Sequence, residues 1–156
     1  MNRAELKKSL QNSNVQAFLK AIRLGEGTSD ELGYYRIVGG GTFNDDTKHP
    51  NIKVYIKRYN VYSTAAGAYQ IIVGTWNGLC RQYGFYDFTP ETQDEAAVAL
   101  IAEKRALEDV KAGRLEKAIQ KCSSIWASLP GSTAGQRTED YASVEKEYLD
   151  NGGVLA

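Results

Sequence analysis

Glu26 is the residue best placed to do chemistry. It stands in Leu24-Gly25-Glu26-Gly27-Thr28, where an amphipathic helix with Val15, Phe18, Leu19 and Ile22 on one face runs out. Gly25 and Gly27 read as C-terminal stop signals. A charge is poorly placed there, because the C-terminal end of a helix disfavours Glu⁻ by about 0.3–1 kcal/mol. That is under one pKa unit, so burial must supply most of any upward shift. The flanking glycines leave room for a large ligand. A neutral carboxylic acid beside an open cleft is what acid-catalysed glycosidic cleavage needs. The alternative is a solvated glutamate closing the helix.

A two-carboxylate glycosidase needs a second acid about 5–9.5 Å from the first. Asp30, Glu31, Asp45 and Asp46 are the candidates. As loop acids they can equally be solvated, with Asp30 and Glu31 shaping the turn. His49 is the single histidine, which excludes a multi-histidine metal site, and His49-Pro50 reads as a structural turn. Cys80 and Cys122 are too few for a disulfide framework or a zinc site. Cys122 shares a helical face with Ala118, Ile119, Ile125 and Trp126 and reads as core. Ser63 and Thr64 lack a histidine–acid pair for nucleophilic catalysis. No metal or cofactor is expected.

The chain has 156 residues, 42% hydrophobic and 24% charged, ordinary for one globular domain. No apolar run approaches the ~20 residues that span a bilayer. Met1 to Gln11 lacks the apolar core and cleavage site of a secretory signal. Synthesis in the cytoplasm without export by that route is the expectation. Net charge is zero but uneven: no acid lies between Asp46 and Asp87, a stretch holding Lys48, Lys53, Lys57, Arg58 and Arg81. Tyr55, Tyr59, Tyr62, Tyr69, Tyr83 and Tyr86 are interleaved with them. Basic plus aromatic suits an anionic polymer, either nucleic acid or an acidic glycan. The alternative is a mixed surface whose charges are offset in space.

The elements that must position Glu26 follow in order. A short polar helix is expected over Asn2–Leu10, then a strong one over Asn14–Leu24 with Asn14 as N-cap. Tyr34–Val38 reads as a strand, Gly39-Gly40-Gly41 as a turn, Thr42–Pro50 as a loop and Lys53–Tyr62 as a second strand or extended excursion. Tyr69–Tyr83 reads as a buried helix around Trp76 and Leu79, although Ile71-Ile72-Val73 could be a strand. Thr89-Pro90-Glu91 starts a helix that runs to about Leu107. Arg114–Ser128 is another, ended by Pro130-Gly131. A loop over Gly131–Arg137 leads to a last helix over Glu139–Leu149, closed by Asn151-Gly152. The fold class is α+β, mainly helical, in two lobes with a small sheet flanking a cleft.

Six segments in register give the pattern specificity. They are Ala17-Phe18-Leu19 with Gly25-Glu26-Gly27-Thr28; Gly33-Tyr34 with Ile37-Val38-Gly39-Gly40; His49-Pro50; Ser63-Thr64-Ala65 with Ala68-Tyr69-Gln70; Asp87-Phe88 with Gln93-Asp94; and Ile125 to Gly131. Over Val15–Gly152 the chain resembles the bacteriophage lambda endolysin family, phage lytic transglycosylases also called lambda lysozymes.

The resemblance implies a single lysozyme-like catalytic domain over residues 1–156, with 1–13 as an N-terminal extension. It implies cleavage of peptidoglycan between N-acetylmuramic acid and N-acetylglucosamine, leaving a 1,6-anhydro end. The family's acid maps onto Glu26. Ala68-Tyr69-Gln70 matches the family's cleft-lining segment, so Tyr69 is expected to pack on sugar, with core packing as the alternative, and Gln70 to bind an acetamido group, with capping of the following helix as the alternative. Ser63, Tyr34 and Trp126 complete the substrate-binding candidates, although the apolar face around Trp126 also suits the core. Peptidoglycan glycan strands are the implied partner, with no nucleic acid and no stable membrane association. The protein is expected as a monomer in the host cytoplasm, reaching the wall once a separate membrane-permeabilising protein opens the membrane. Asn51–Tyr62 and Gly131–Arg137 depart from the family pattern and read as cleft-flanking loops. A hydrolysing muramidase and a non-catalytic peptidoglycan-binding domain are the alternatives.

Overall fold

Asn2 and Glu5 open the chain with reciprocal bonds. The Asn2 side chain accepts from the Glu5 backbone N–H at 2.9 Å, and Glu5 accepts from that of Asn2 at 3.0 Å. This capping box starts α1 (Arg3–Ser9). The computed structural model describes residues 1–131 and 140–156. Helix α2 (Ser13–Glu26) follows, capped by Asn12, whose side chain accepts from the backbone N–H of Asn14 and Val15. The expected cap, Asn14, instead donates its side-chain amide to Lys111 O at 3.0 Å. Val15, Phe18, Leu19 and Ile22 are all buried, as their spacing requires.

Helix α4 (Pro90–Glu103) is the central element. Ala96 to Ile101 are buried without interruption, which marks a helix enclosed on all sides. It packs against α1, α2, α3 (Val73–Tyr83) and α5 (Leu107–Lys111). The start at Thr89-Pro90 is as the sequence predicts, with Thr89 Oγ1 accepting from Thr92 N. The end comes earlier than Leu107, because Arg105 takes a left-handed conformation at φ 57° and the chain turns. Helix α6 (Leu115–Cys122) also stops short of Ser128, and the chain through Trp126 and Leu129 is held by turns. Helix α7 (Tyr141–Asp150), capped by Asp140, packs on α2. From residue 132 the expected loop to Arg137, and Glu139 at the expected start of the last helix, lie outside the described residues.

Two strand expectations change. Tyr34–Val38 is not a strand: Gly33–Tyr35 is a 3-10 turn, and Arg36 and Ile37 form isolated bridges to Thr42 and Ala66. Lys53–Tyr62 is a hairpin rather than one strand. Its arms are β1 (Val54–Ile56) and β2 (Val61–Ser63), paired antiparallel with Val54 opposite Ser63 and Tyr55 opposite Tyr62. Asn60 closes the turn at φ 50°, a conformation asparagine tolerates. Helix α3 begins at Val73 rather than Tyr69, because Gln70 stands at φ 49° and breaks any helix there. Thr64 Oγ1 accepts from Val73 N at 2.9 Å and supplies the cap that Ile72 cannot. Among the described residues no helix is long and apolar enough to cross a membrane.

Candidate active site

Glu26 is the last residue of α2, and only Gly27 ends the helix, in the left-handed conformation at φ 71°. Gly25 is helical and serves another purpose. A Cβ there would stand 2.5 Å from Ser128 Oγ. Its absence lets Ser128, itself buried, reach the helix end and donate a hydrogen bond to Glu26 Oε2. Glu26 is half-buried. Burial pushes its pKa above the ordinary carboxylate value, and the Ser128 hydroxyl pulls in the opposite direction.

The residues after Glu26 fold back onto α2. The buried Arg23 donates through Nε and Nη2 to Thr28 O at 2.9 and 2.6 Å, and through Nη2 to Asp30 O at 3.1 Å. Gly33 closes over the same point, where a Cβ would sit 1.9 Å from Thr28 O. Thr28, 1% exposed, donates its hydroxyl to Ala68 O at 2.5 Å. That bond joins the Glu26 loop to the turn at Ala68-Tyr69-Gln70. Helix α4 holds the turn from behind: Gln93 Oε1 accepts from Ala68 N at 2.9 Å, and Asp94 Oδ1 accepts from the Tyr69 hydroxyl at 2.5 Å. Trp126 Nε1 donates to Tyr69 O at 3.0 Å, which ties in the segment carrying Ser128. Three distant stretches of chain thus meet behind the end of α2, and one of them brings Ser128 to the carboxylate.

The sequence-derived site residues divide. Glu26 stands at this convergence. Gln70 is half-buried, and its side-chain amide donates to Gly67 O at 2.8 Å and Arg36 O at 3.3 Å, so it stabilises its own turn. Ser63 Oγ accepts from Ala65 N at 3.2 Å and lines a hollow of about 400 Å³ with Lys53, Tyr62, Thr64 and Ile72. Gln70 and Ile72 line a neighbouring hollow of about 340 Å³, so Ile72 lies between the two. Tyr69 and Trp126, each 2% exposed, stand at the wall of this second hollow with little surface showing. Their large rings fill the core, and their polar atoms are used there. Tyr34 turns to Asp94, donating at 2.9 Å, with the Arg23 guanidinium 4.5 Å from its ring centre. Burial, then Asp94, raises the Tyr34 hydroxyl to about 12, so it stays a donor.

Ser128, Thr28, Arg23 and Asp94 were not singled out by type or spacing. The available signal was Gly25, a helical glycine beside the acid whose missing side chain makes room for a neighbour. Three of the four other loop acids are bonded elsewhere: Asp30 pairs with Arg36 at 2.7 Å, Asp45 accepts from Thr47, and Asp46 accepts from the Tyr35 hydroxyl at 2.7 Å, while Glu31 is exposed. His49 is buried, with Nε2 donating to Ile71 O at 2.8 Å and Nδ1 accepting from Asn51 N at 3.0 Å. Burial lowers its pKa, and its ring packs at a tilt against Trp76 and Phe88 as a structural residue. Among the described residues no group of three or more His, Cys, Asp or Glu is placed to hold a metal ion.

A family model described as Endolysin matches residues 16–155. The chain belongs to the endolysin family. It is 38% identical to the endolysin of Escherichia phage P2, covering 93% of this chain and 96% of that one. It is 36% identical to the endolysin of Escherichia phage lambda, covering 92% and 94%. A structure of bacteriophage lambda lysozyme complexed with a chitohexasaccharide matches with a TM-score of 0.87 at 35% identity, over 93% of this chain and 97% of that one. Another structure of lambda lysozyme matches with a TM-score of 0.84. The lysozyme-like α+β fold expected from the sequence is thus the fold found.

Proposed function

We propose that this endolysin-family chain is a peptidoglycan lytic transglycosylase in which Glu26 is both acid and base. The observation that carries the reading is a half-buried carboxylate at the end of α2 whose burial favours its neutral form; Asp94, also half-buried with its pKa raised by burial, is engaged by the Tyr69 and Tyr34 hydroxyls, and Asp30, Asp45 and Asp46 are bonded elsewhere. Glu26 protonates the glycosidic oxygen as the bond to the muramic acid anomeric carbon breaks. The carboxylate so formed then takes the proton of that sugar's own C6 hydroxyl, whose oxygen closes on the anomeric carbon. Attack from within the substrate has a high effective molarity and needs neither a protein nucleophile nor a bound water. A glycan chain as the ligand is supported by the chitohexasaccharide bound to the similar lambda lysozyme.

The same reading takes residues 1–156 as one catalytic domain acting as a monomer. It is made in the host cytoplasm and meets the wall after another protein opens the membrane. The β1–β2 hairpin forms one lip of the cleft, and the hollows meeting at Ile72 take flanking sugars with Ser63 and Gln70. Digestion of purified cell walls in ¹⁸O-water tests the chemistry. The expected products carry 1,6-anhydromuramic acid and no heavy oxygen by mass spectrometry. A labelled reducing end would make the enzyme a hydrolase and return attention to the loop acids, Glu31 among them.

A further inference from the structure

A carboxyl group has two oxygens, and only one that faces the scissile bond can deliver a proton to it. At Glu26 the two are not equivalent, because the Ser128 hydroxyl donates to Oε2. A proton on Oε2 would break that bond or force the hydroxyl to turn, so the acid proton is favoured on Oε1. The Ser128 side chain is held in place beside Oε2. Ser128 is 5% exposed, and it follows Trp126, whose indole is anchored to Tyr69 O at 3.0 Å. Its Cβ lies 3.1 Å from where a Gly25 Cβ would be, so the hydroxyl is seated against the bare face of α2.

We propose that Ser128 is a positioning residue that holds Glu26 Oε2 and reserves Oε1 for both proton transfers, with Gly25 as the gap that admits it. This rests on the reading of Glu26 as the acid. In the first step the proton leaves Oε1 for the glycosidic oxygen. In the second the C6 hydroxyl proton arrives on Oε1, and the group returns to its starting state. Between the steps Ser128 donates to an ionised carboxylate, where a hydrogen bond is stronger than to a neutral group. Ser128 therefore steadies the intermediate state of the acid and limits how far burial raises its proton affinity. The device lets a partly buried site hold a neutral acid that can still ionise.

The test is the pH profile of kcat/KM on purified cell walls for Ser128→Ala and Gly25→Ala, with folding checked by circular dichroism and thermal unfolding. The active form of Glu26 is protonated, so the rate falls as pH rises through its pKa. Removing a donor to the ionised form raises that pKa. The alkaline limb of Ser128→Ala should move to higher pH while the plateau kcat falls about tenfold or more, as loss of a bond to a charged group implies. Gly25→Ala keeps the hydroxyl but displaces it, and should move the limb the same way; it carries the test if Ser128→Ala folds poorly. Combining the two changes should move the limb no further than Ser128→Ala alone. A limb that stays in place in both variants, with activity falling only as the folded fraction falls, overturns the proposal. If Glu26→Gln stays active, the acid assignment itself fails. If Glu26→Gln is inactive but the limb does not move, only the role of Ser128 fails.

Discussion

The end of α2 and the β1–β2 hairpin, which the proposed function places at one cleft, are built in opposite ways. Around Glu26 the supporting groups are hidden: Thr28, Ser128, Ala68 and Gln93 are all buried and hydrogen-bonded. On the hairpin the side chains stand out, with Tyr55 47%, Val61 49% and Tyr62 70% exposed. Local bonds are among those that hold it, as between the Tyr55 hydroxyl and Asn60 at 2.5 Å and the Tyr55 and Tyr62 rings at 5.3 Å. An acid that must give and take a proton at one point needs fixed, dry surroundings. A surface that holds a polymer can rely on many weak, exposed contacts. The hairpin should therefore tolerate change that the end of α2 cannot.

Glu26→Gln should have the largest effect. The amide keeps the shape and loses the transferable proton, so cleavage should fall by at least about 10²-fold, or roughly 2.7 kcal/mol in the barrier. The fold should not suffer. Because burial raises the Glu26 pKa in the folded state, its contribution to stability is full below the unfolded pKa and is lost as pH rises through the folded one. At neutral pH the glutamine variant should be at least as stable as the parent, and any advantage should shrink toward acid pH. Thermal unfolding across pH, beside activity on cell walls, checks both halves. More than about a tenth of parental activity would remove Glu26 as the sole acid and base.

Gly33→Ala should come next. The added methyl would meet Thr28 O at 1.9 Å and Arg23 Nη2 at 2.7 Å. Neither can yield without loosening the loop that carries Glu26. Overpacking of this kind costs about 1–3 kcal/mol, which at this chain length lowers Tm by about 2–4 °C per kcal/mol. Activity should fall further than the loss of folded protein explains, since the acid is displaced as well. An unchanged Tm would show that the loop is not the rigid support described.

What could be read from the sequence follows from which effects are local. Helix α4 announced itself through Thr89-Pro90, and the apolar face of α2 through residue spacing, because caps and burial patterns are written within a few residues. Glu26 was legible because glycines bracket it. The partners of Glu26 were not: Ser128 is 102 positions away, and the bonds from Gln93 and Asp94 to the 68–69 turn span 25. Tyr34 and Tyr69 look like sugar platforms by type, and only the placement of Asp94 shows their hydroxyls turned away. The β-rich composition of Tyr34–Val38 gave way to a 3-10 turn because Gly33 must pass close to Thr28. The stretch Lys53–Tyr62 was readable as extended but not as folded back, since its turn uses an asparagine rather than a glycine.

The smallest effect belongs to the hairpin cations. Lys53, Lys57 and Arg58 lie in the acid-free stretch, all on exposed positions, and the Arg58 guanidinium sits 5.4 Å from the Tyr59 ring centre. Peptidoglycan carries lactyl-peptide carboxylates, so under the proposed function these charges should draw the substrate in rather than speed the chemistry. Exposed charges act weakly one at a time and are screened over about 8–10 Å near physiological salt. Replacing all three with glutamine should weaken adsorption to cell walls by a few-fold at low salt, on the order of 1 kcal/mol in total. The salt dependence of the rate should flatten, and kcat at saturating substrate should hold. Cleavage of an uncharged chitooligosaccharide, where measurable, should change little, because nothing in the Glu26 corner has been touched. Binding isotherms on whole walls at low and physiological salt decide it. An unchanged salt profile would turn the basic face of the hairpin away from the substrate, leaving its tyrosines as the part of the lip that meets the glycan.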